Sequence, residues 1–168
     1  MLLWLAEALG ALAVVLNFIG YRQNDVNQYR FFSALALASV SAHFFMLGAM
    51  AAGIGCLLAC IRNFVAMRYR SKEILYLFMA SNIGFFCYEW FGLDHPWYIL
   101  FSYVSSLIFT VGSIVLQNAM RIRQWFIVAE LLGLVYAVIV GSIFGSIFNI
   151  SNLFSILLKL YQEKQGKA

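Results

Sequence analysis

Residues 31–67 read FFSALALASVSAHFFMLGAMAAGIGCLLACIRNFVAM, and His43 and Arg62 are the only basic or acidic side chains among them. As a single helix this block would run about 55 Å at ~1.5 Å per residue. A bilayer core is only ~30 Å thick, so the block must cross twice. The reversal is expected near Gly48-Ala49-Met50. Residues 125–160, from Trp125 to Leu160, pose the same problem and predict a second reversal near Gly141-Ser142. Leu2–Tyr21, Ile74–Gly92 and Trp97–Gln117 add three more apolar runs. The chain is therefore expected to be an all-α membrane protein of seven transmembrane helices.

Composition leads to the same place. Of 168 residues, 64% are hydrophobic and 11% charged, too few charges to cover a soluble fold of this size. The one proline, Pro96, lies between runs, and no stretch is polar enough to form a separate soluble domain. Met1 to Gly20 lacks a basic leading region and carries Glu7, which predicts a retained first helix rather than a cleaved leader. Cys56, Cys60 and Cys87 sit inside apolar runs without a CxxC pair, so neither a disulfide framework nor a zinc site is expected.

Charge tests the helix count independently. Arg22, Arg30, Arg68, Arg70, Lys72, Arg121, Arg123, Lys159, Lys164 and Lys167 are ten of the eleven Lys and Arg residues. With seven spans all ten fall on one side, which the positive-inside rule makes cytoplasmic, and the N-terminus is then outside. The net charge of +4 is therefore a matter of topology, and no nucleic-acid partner is expected. Trp4, Trp90 and Trp97 fall at the outer boundary. Trp125, Tyr21, Tyr69 and Tyr161 fall at the inner one, where amphipathic rings settle.

A shift of 93 residues lays Arg30 on Arg123, Gly48 on Gly141 and Ile54 on Ile147. Two three-helix units of like orientation (residues 1–72 and 95–168) joined by a linker helix (residues 73–94) form a parallel repeat, a plan that transporters use. His43-Phe44-Phe45-Met46-Leu47-Gly48, Gly53, Ile61-Arg62 and Gly141-Ser142-Ile143-Phe144-Gly145-Ser146 resemble the bacterial YgjV-type inner-membrane protein family. That resemblance implies a multi-pass protein of the bacterial inner membrane and names no substrate. More distantly, the layout is similar to the SWEET, PQ-loop and PnuC carriers, built as 3+1+3 helices. The Pro-Gln pairs that hinge many of those carriers are absent here.

Charges at a helix centre cost ~2.5–3.5 kcal/mol each on insertion scales, so each calls for a reason. Helical rise puts Arg62 about 9 Å and Glu130 about 10 Å inside the inner boundary. Asn17, Asn63 and Asn152 share that level, forming an inner polar layer, and Glu7, His43 and Asn149 form an outer one. Asn82 lies near the middle of helix four, while Glu7 and Glu89 stand close enough to the outer boundary to be merely hydrated. Asn149 and Asn152 are three apart and share a face. Asn17, His43, Arg62, Asn63, Glu130, Asn149 and Asn152 are therefore the candidate substrate-binding residues. The bland alternative is interhelical glue at ~0.6 kcal/mol per contact, with Arg62 neutralising Glu130 or snorkelling to the surface.

Helix three carries small residues on two sides, Gly53, Cys56 and Cys60 on one and Gly55, Ala59 and Ala66 on the other. This predicts a central position for it within its unit, as in SWEET-like folds, though such stripes suit a homodimer equally well. No catalytic constellation or cofactor motif appears, so neither an enzyme nor a cofactor is expected. The expected function is a carrier or facilitator of a small polar metabolite in the lipid bilayer. The alternative is a non-transporting receptor or assembly partner that keeps the carrier fold.

Overall fold

The computed structural model describes residues 2–21, 23, 25–69, 71–116 and 119–166. Arg22, Arg70, Lys167 and the Gln117 end of the fifth apolar run lie outside them. Among the described residues seven α-helices follow one another: α1 (Leu2–Tyr21), α2 (Val26–Met46), α3 (Met50–Ala66), α4 (Lys72–Cys87), α5 (Ile99–Val115), α6 (Ala119–Ile139) and α7 (Ile143–Lys164). A π-helical turn, Tyr88–Gly92, extends α4. Among the described residues, Leu3–Gly20, Lys72–Gly92 and Ile143–Gln162 are long and apolar enough to cross a membrane. The apolar helices α3 and α5, at 17 residues each, reach only about 25 Å.

Polarity is distributed inside out. Trp4 (81% exposed), Phe91 (79%), Leu77, Ile143 and Phe154 face outward, while Asn17, His43, Arg62, Asn63, Asn82, Glu89, Glu130 and Asn152 are buried. Water would penalise such an arrangement, whereas hydrocarbon favours it, because only neighbouring helices can satisfy polar groups there.

The helices pack in chain order. Helix α2 lies between α1 and α3, and α6 lies between α5 and α7. The seams α3/α5 and α1/α7 then close six helices into a ring, with α4 outside it against α5 and α3. The central position expected for helix three is therefore taken by helix two. Helix α2 owes this place to its own small buried residues, Ser33, Ala34, Ala36 and Ser41, which let helices approach on both flanks. The two small sides of α3 point elsewhere than expected: a Cβ on Gly53 would meet Phe45 of α2, and one on Gly55 would meet Ser106 of α5.

Both apolar blocks reverse through the same turn. Gly48 and Gly141 have φ of +75° and +73°. In the first turn Ala49 N–H donates to Phe44 C=O (2.9 Å) and Gly48 N–H to Phe45 C=O (3.1 Å). In the second, Ser142 N–H donates to Ala137 C=O (2.9 Å) and Gly141 N–H to Val138 C=O (3.1 Å). These paired bonds make a Schellman cap, with glycine at the left-handed position where a Cβ is disfavoured. All eight residues correspond under the 93-residue shift, which also carries Val26–Met46 onto Ala119–Ile139 and Met50 onto Ile143.

Replacing Gly48 or Gly141 by Ala should cost about 1–2 kcal/mol of stability in detergent, through left-handed strain. Gly84 is the control: it lies within α4, and a Cβ there meets no atom within 4 Å. Gly84→Ala should leave the thermal midpoint unchanged or raised. Equal losses at all three positions would remove the turn argument.

Candidate functional site

A cavity of about 480 Å³ lies inside the ring of six helices. Its mouth is lined by Gln23, Asp25, Arg30, Arg123 and Lys159, which stand at helix ends and are at least partly exposed. Asp25 is held there by capping α2, its Oδ1 accepting from the N–H groups of Asn27 (2.9 Å) and Gln28 (2.8 Å). Towards the opposite end the walls become apolar. Val40, Phe44, Ala52, Tyr136 and Phe148 line the cavity there and belong to the main hydrophobic core. The result is a dead-end chamber, open at the cation-rich end.

Six of the seven residues singled out from sequence line this chamber: Asn17, Arg62, Asn63, Glu130, Asn149 and Asn152. Asn17 Nδ2 donates to Asn152 Oδ1, and Asn152 Nδ2 donates to Glu130 Oε1 (2.8 Å). This relay crosses the α1/α7 seam. Arg62 crosses the α3/α5 seam, with Nη1 donating to Thr110 Oγ1 (3.2 Å) and Nη2 to its neighbour Asn63 (3.4 Å). Asn63 Nδ2 in turn donates to Ser33 Oγ (3.1 Å). Asn149 bonds within its own helix, to Gly145 C=O (2.7 Å). Arg62 and Glu130 make no salt bridge with each other; each is bonded to neutral partners instead. The buried Nε of Arg62 and the Ser106 hydroxyl have no hydrogen-bond partner among the described residues.

The seventh residue, His43, lies outside the chamber. It is fully buried between Ala6 C=O (2.7 Å from Nδ1) and Ser142 Oγ (2.8 Å from Nε2). A carbonyl can only accept, so Nδ1 donates to Ala6. The Ser142 oxygen also accepts from Gly145 N–H (2.9 Å), and its hydroxyl proton is available to Nε2. The imidazole thus joins α1, α2 and the start of α7. A Cβ on Gly10 would lie 2.5 Å from Phe144 Cβ and 3.1 Å from His43 Nδ1, so glycine is what allows this close approach.

Two features are not visible in the sequence. Hydroxyls at Ser102, Ser105, Ser106 and Thr110 line one face of α5, and all but Thr110 border the chamber directly. Their spacing of three, four and eight residues is the signal that would reveal them. The second feature is Glu89, expected to be hydrated at the boundary but in fact 0% exposed. It accepts from the Tyr103 hydroxyl and pairs with His95 Nδ1 at 2.7 Å. The π turn supplies the reason, since a turn with one extra residue aims Glu89 inward against α5.

Residues 4–167 match the family Imp-YgjV, described as bacterial inner membrane protein. The chain belongs to the YgjV family. Inner membrane protein YgjV of Escherichia coli (strain K12) is 27% identical over 81 residues. That match spans 48% of this chain and 44% of the curated relative, so less than half of each protein is aligned. No solved structure matches the chain. Family membership agrees with the inside-out distribution of polarity and places this protein among inner membrane proteins.

Asn152 is the hinge of the Asn17–Asn152–Glu130 relay, and its removal strands two buried polar groups. Asn152→Ala should cost about 2 kcal/mol in detergent, the penalty of buried groups left unsatisfied. Asn149→Ala, which breaks only an intrahelical contact, should cost clearly less. Equal shifts in the thermal midpoint would show that the relay does not hold the seam.

Proposed function

We propose that this YgjV-family protein is a carrier of a small polar metabolite that works by alternating access between two three-helix halves. The observation that carries the reading is the dead-end chamber, with charged residues at its mouth, buried polar groups on its walls and an apolar layer closing the other end. A pore would be open at both ends or blocked by a narrow constriction. A chamber with one mouth between two packed units is the form that a carrier takes in one half of its cycle.

In this reading all seven helices span the bilayer as 3+1+3, with the cation-rich end in the cytoplasm, so that the chamber is inward-facing. Support for two related halves comes from the shared Schellman turns and the matching helix bounds at a shift of 93. The SWEET-like helix order is not carried over, because the second helix of each half is central. Without Pro-Gln hinges, the halves move as rigid bodies along the α3/α5 and α1/α7 seams. Closure of the outer side then rests on His43–Ser142, on Glu89–Tyr103 and on the packing of Phe44 and Tyr136.

Two measurements test this. In protein with its three cysteines replaced, Ser113→Cys and Ser155→Cys line the chamber and should react with a membrane-impermeant thiol reagent from the cytoplasmic face only. Labelling from the periplasmic face alone would reverse the orientation. In proteoliposomes, the solute that stabilises the purified protein should be taken up, and Asn152→Ala should lower that uptake sharply. Folded protein that moves no solute from a panel of sugars, nucleosides, vitamins and amino acids would instead be a receptor or assembly partner.

A further inference from the structure

We infer that the chamber binds a small zwitterion, a molecule of the amino-acid type with one carboxylate and one ammonium group. The inference rests on the carrier reading for its consequence, solute movement, and on the chamber's own chemistry for the choice of ligand.

Arg62 is 4% exposed and Glu130 is 3% exposed, and both line the same cavity. A buried charge is normally paired, because desolvation otherwise costs several kcal/mol. Neither of these is paired. Arg62 has Thr110 and Asn63 as hydrogen-bond partners, and its Nε has none. Among the described residues Glu130 accepts a hydrogen bond from Asn152 and has no ion-pair partner. The two ionisable groups sit in different halves, on α3 and α6. The remaining charged residues lining the chamber, Asp25, Arg30, Arg123 and Lys159, stand at its mouth.

Each class of solute can be weighed against that pair. A neutral sugar leaves the Arg62 guanidinium without a counter-ion. A simple anion answers Arg62 and offers Glu130 nothing, and a simple cation answers Glu130 alone. A zwitterion supplies both missing partners at once. Its carboxylate meets the Arg62 guanidinium, and its ammonium meets the Glu130 carboxyl. A volume of about 480 Å³ lies within the usual range for small-molecule pockets, at the lower end.

The test uses the full chain purified in mild detergent at neutral pH, with thermal unfolding as the readout. The probes are L-alanine, L-serine and L-asparagine as zwitterions, lactate as carboxylate alone, ethanolamine as amine alone, and glucose. Only the zwitterions should raise the midpoint, and Arg62→Gln or Glu130→Gln should each abolish the shift. Wild-type protein gives a second readout that needs no substitution at the site: alkylation of Cys56, which lines the chamber, should slow about tenfold at ten times Kd. If a Gln variant does not fold, Arg62→Lys and Glu130→Asp, which keep the charges, should retain a weakened shift.

Lactate acting as well as L-serine, with its effect surviving Glu130→Gln, would overturn the zwitterion in favour of an anion. Stabilisation by glucose alone would overturn it while leaving the carrier reading in place. No response to any probe, in thermal unfolding and in Cys56 alkylation alike, would also overturn it. Stabilisation by zwitterions without uptake in proteoliposomes would uphold the site and remove the carrier.

Discussion

Hydrocarbon cannot donate or accept a hydrogen bond, and the rest of this structure follows from that constraint. Every polar side chain in the membrane-depth part of the chain must find a partner on another helix, on its own backbone, or in a water-filled space. The protein uses all three. Ser81 and Asn82 of α4 turn back to their own helix, donating to Leu77 and Phe78 C=O. His43 is fully used in joining α1 to α2 and α7. Among the described residues four buried polar atoms lack a partner: Arg62 Nε and Ser106 Oγ on residues that line the chamber, and Glu7 Oε2 and Asn82 Oδ1 on residues that do not. His43 and Arg62 are both buried, and of the two only Arg62 has a nitrogen left over.

The same constraint explains why the two ends of the bundle differ. At one end the reversals are Schellman turns, which need no polar side chain and let the helices converge on a core of Phe44, Ala52, Tyr136 and Phe148. At the other, Arg30, Arg68, Lys72, Arg121, Arg123, Lys159 and Lys164 lie in or near the connections and helix ends. Two of the three connections at the first end are thus tight turns, and the second end carries the cations. The connection from α4 to α5 is the exception at that first end, and it is there that Glu89, His95 and Tyr103 supply a polar tie in place of a tight turn.

Much of this was legible in sequence because it depends on length and spacing. Two apolar blocks too long for one crossing had to reverse, and glycines 48 and 141 marked where. Asn17, Arg62, Asn63, Glu130 and Asn152 could be placed at one level by counting residues from the charged connections. The partners could not. Asn17 meets Asn152, 135 positions away, through a seam that no local pattern announces. Arg62 and Glu130 look like an ion pair on paper, because helical rise gives depth but not the direction in which a side chain points. Small residues are abundant in both α2 and α3, so their stripes could not decide which helix is central. Glu89 was misplaced because periodic reading assumes 3.6 residues per turn, and the π turn breaks that period where the residue is aimed.

The 93-residue shift also shows what the scaffold does not repeat. Asn17 falls on Thr110, and each crosses one of the two seams, so the fastening of the halves is nearly symmetric. The charges are not: Arg62 falls on Ser155, and Glu130 falls on Leu37. A cation is therefore supplied by one half and a carboxylate by the other. A ligand can shift a conformational equilibrium only through a difference in its contacts between the two states. A solute that touches a single half would move with it and exert little bias. In the proposed carrier, one held by Arg62 on the first half and Glu130 on the second would gain or lose free energy as the halves rocked, coupling binding to movement through the ligand itself.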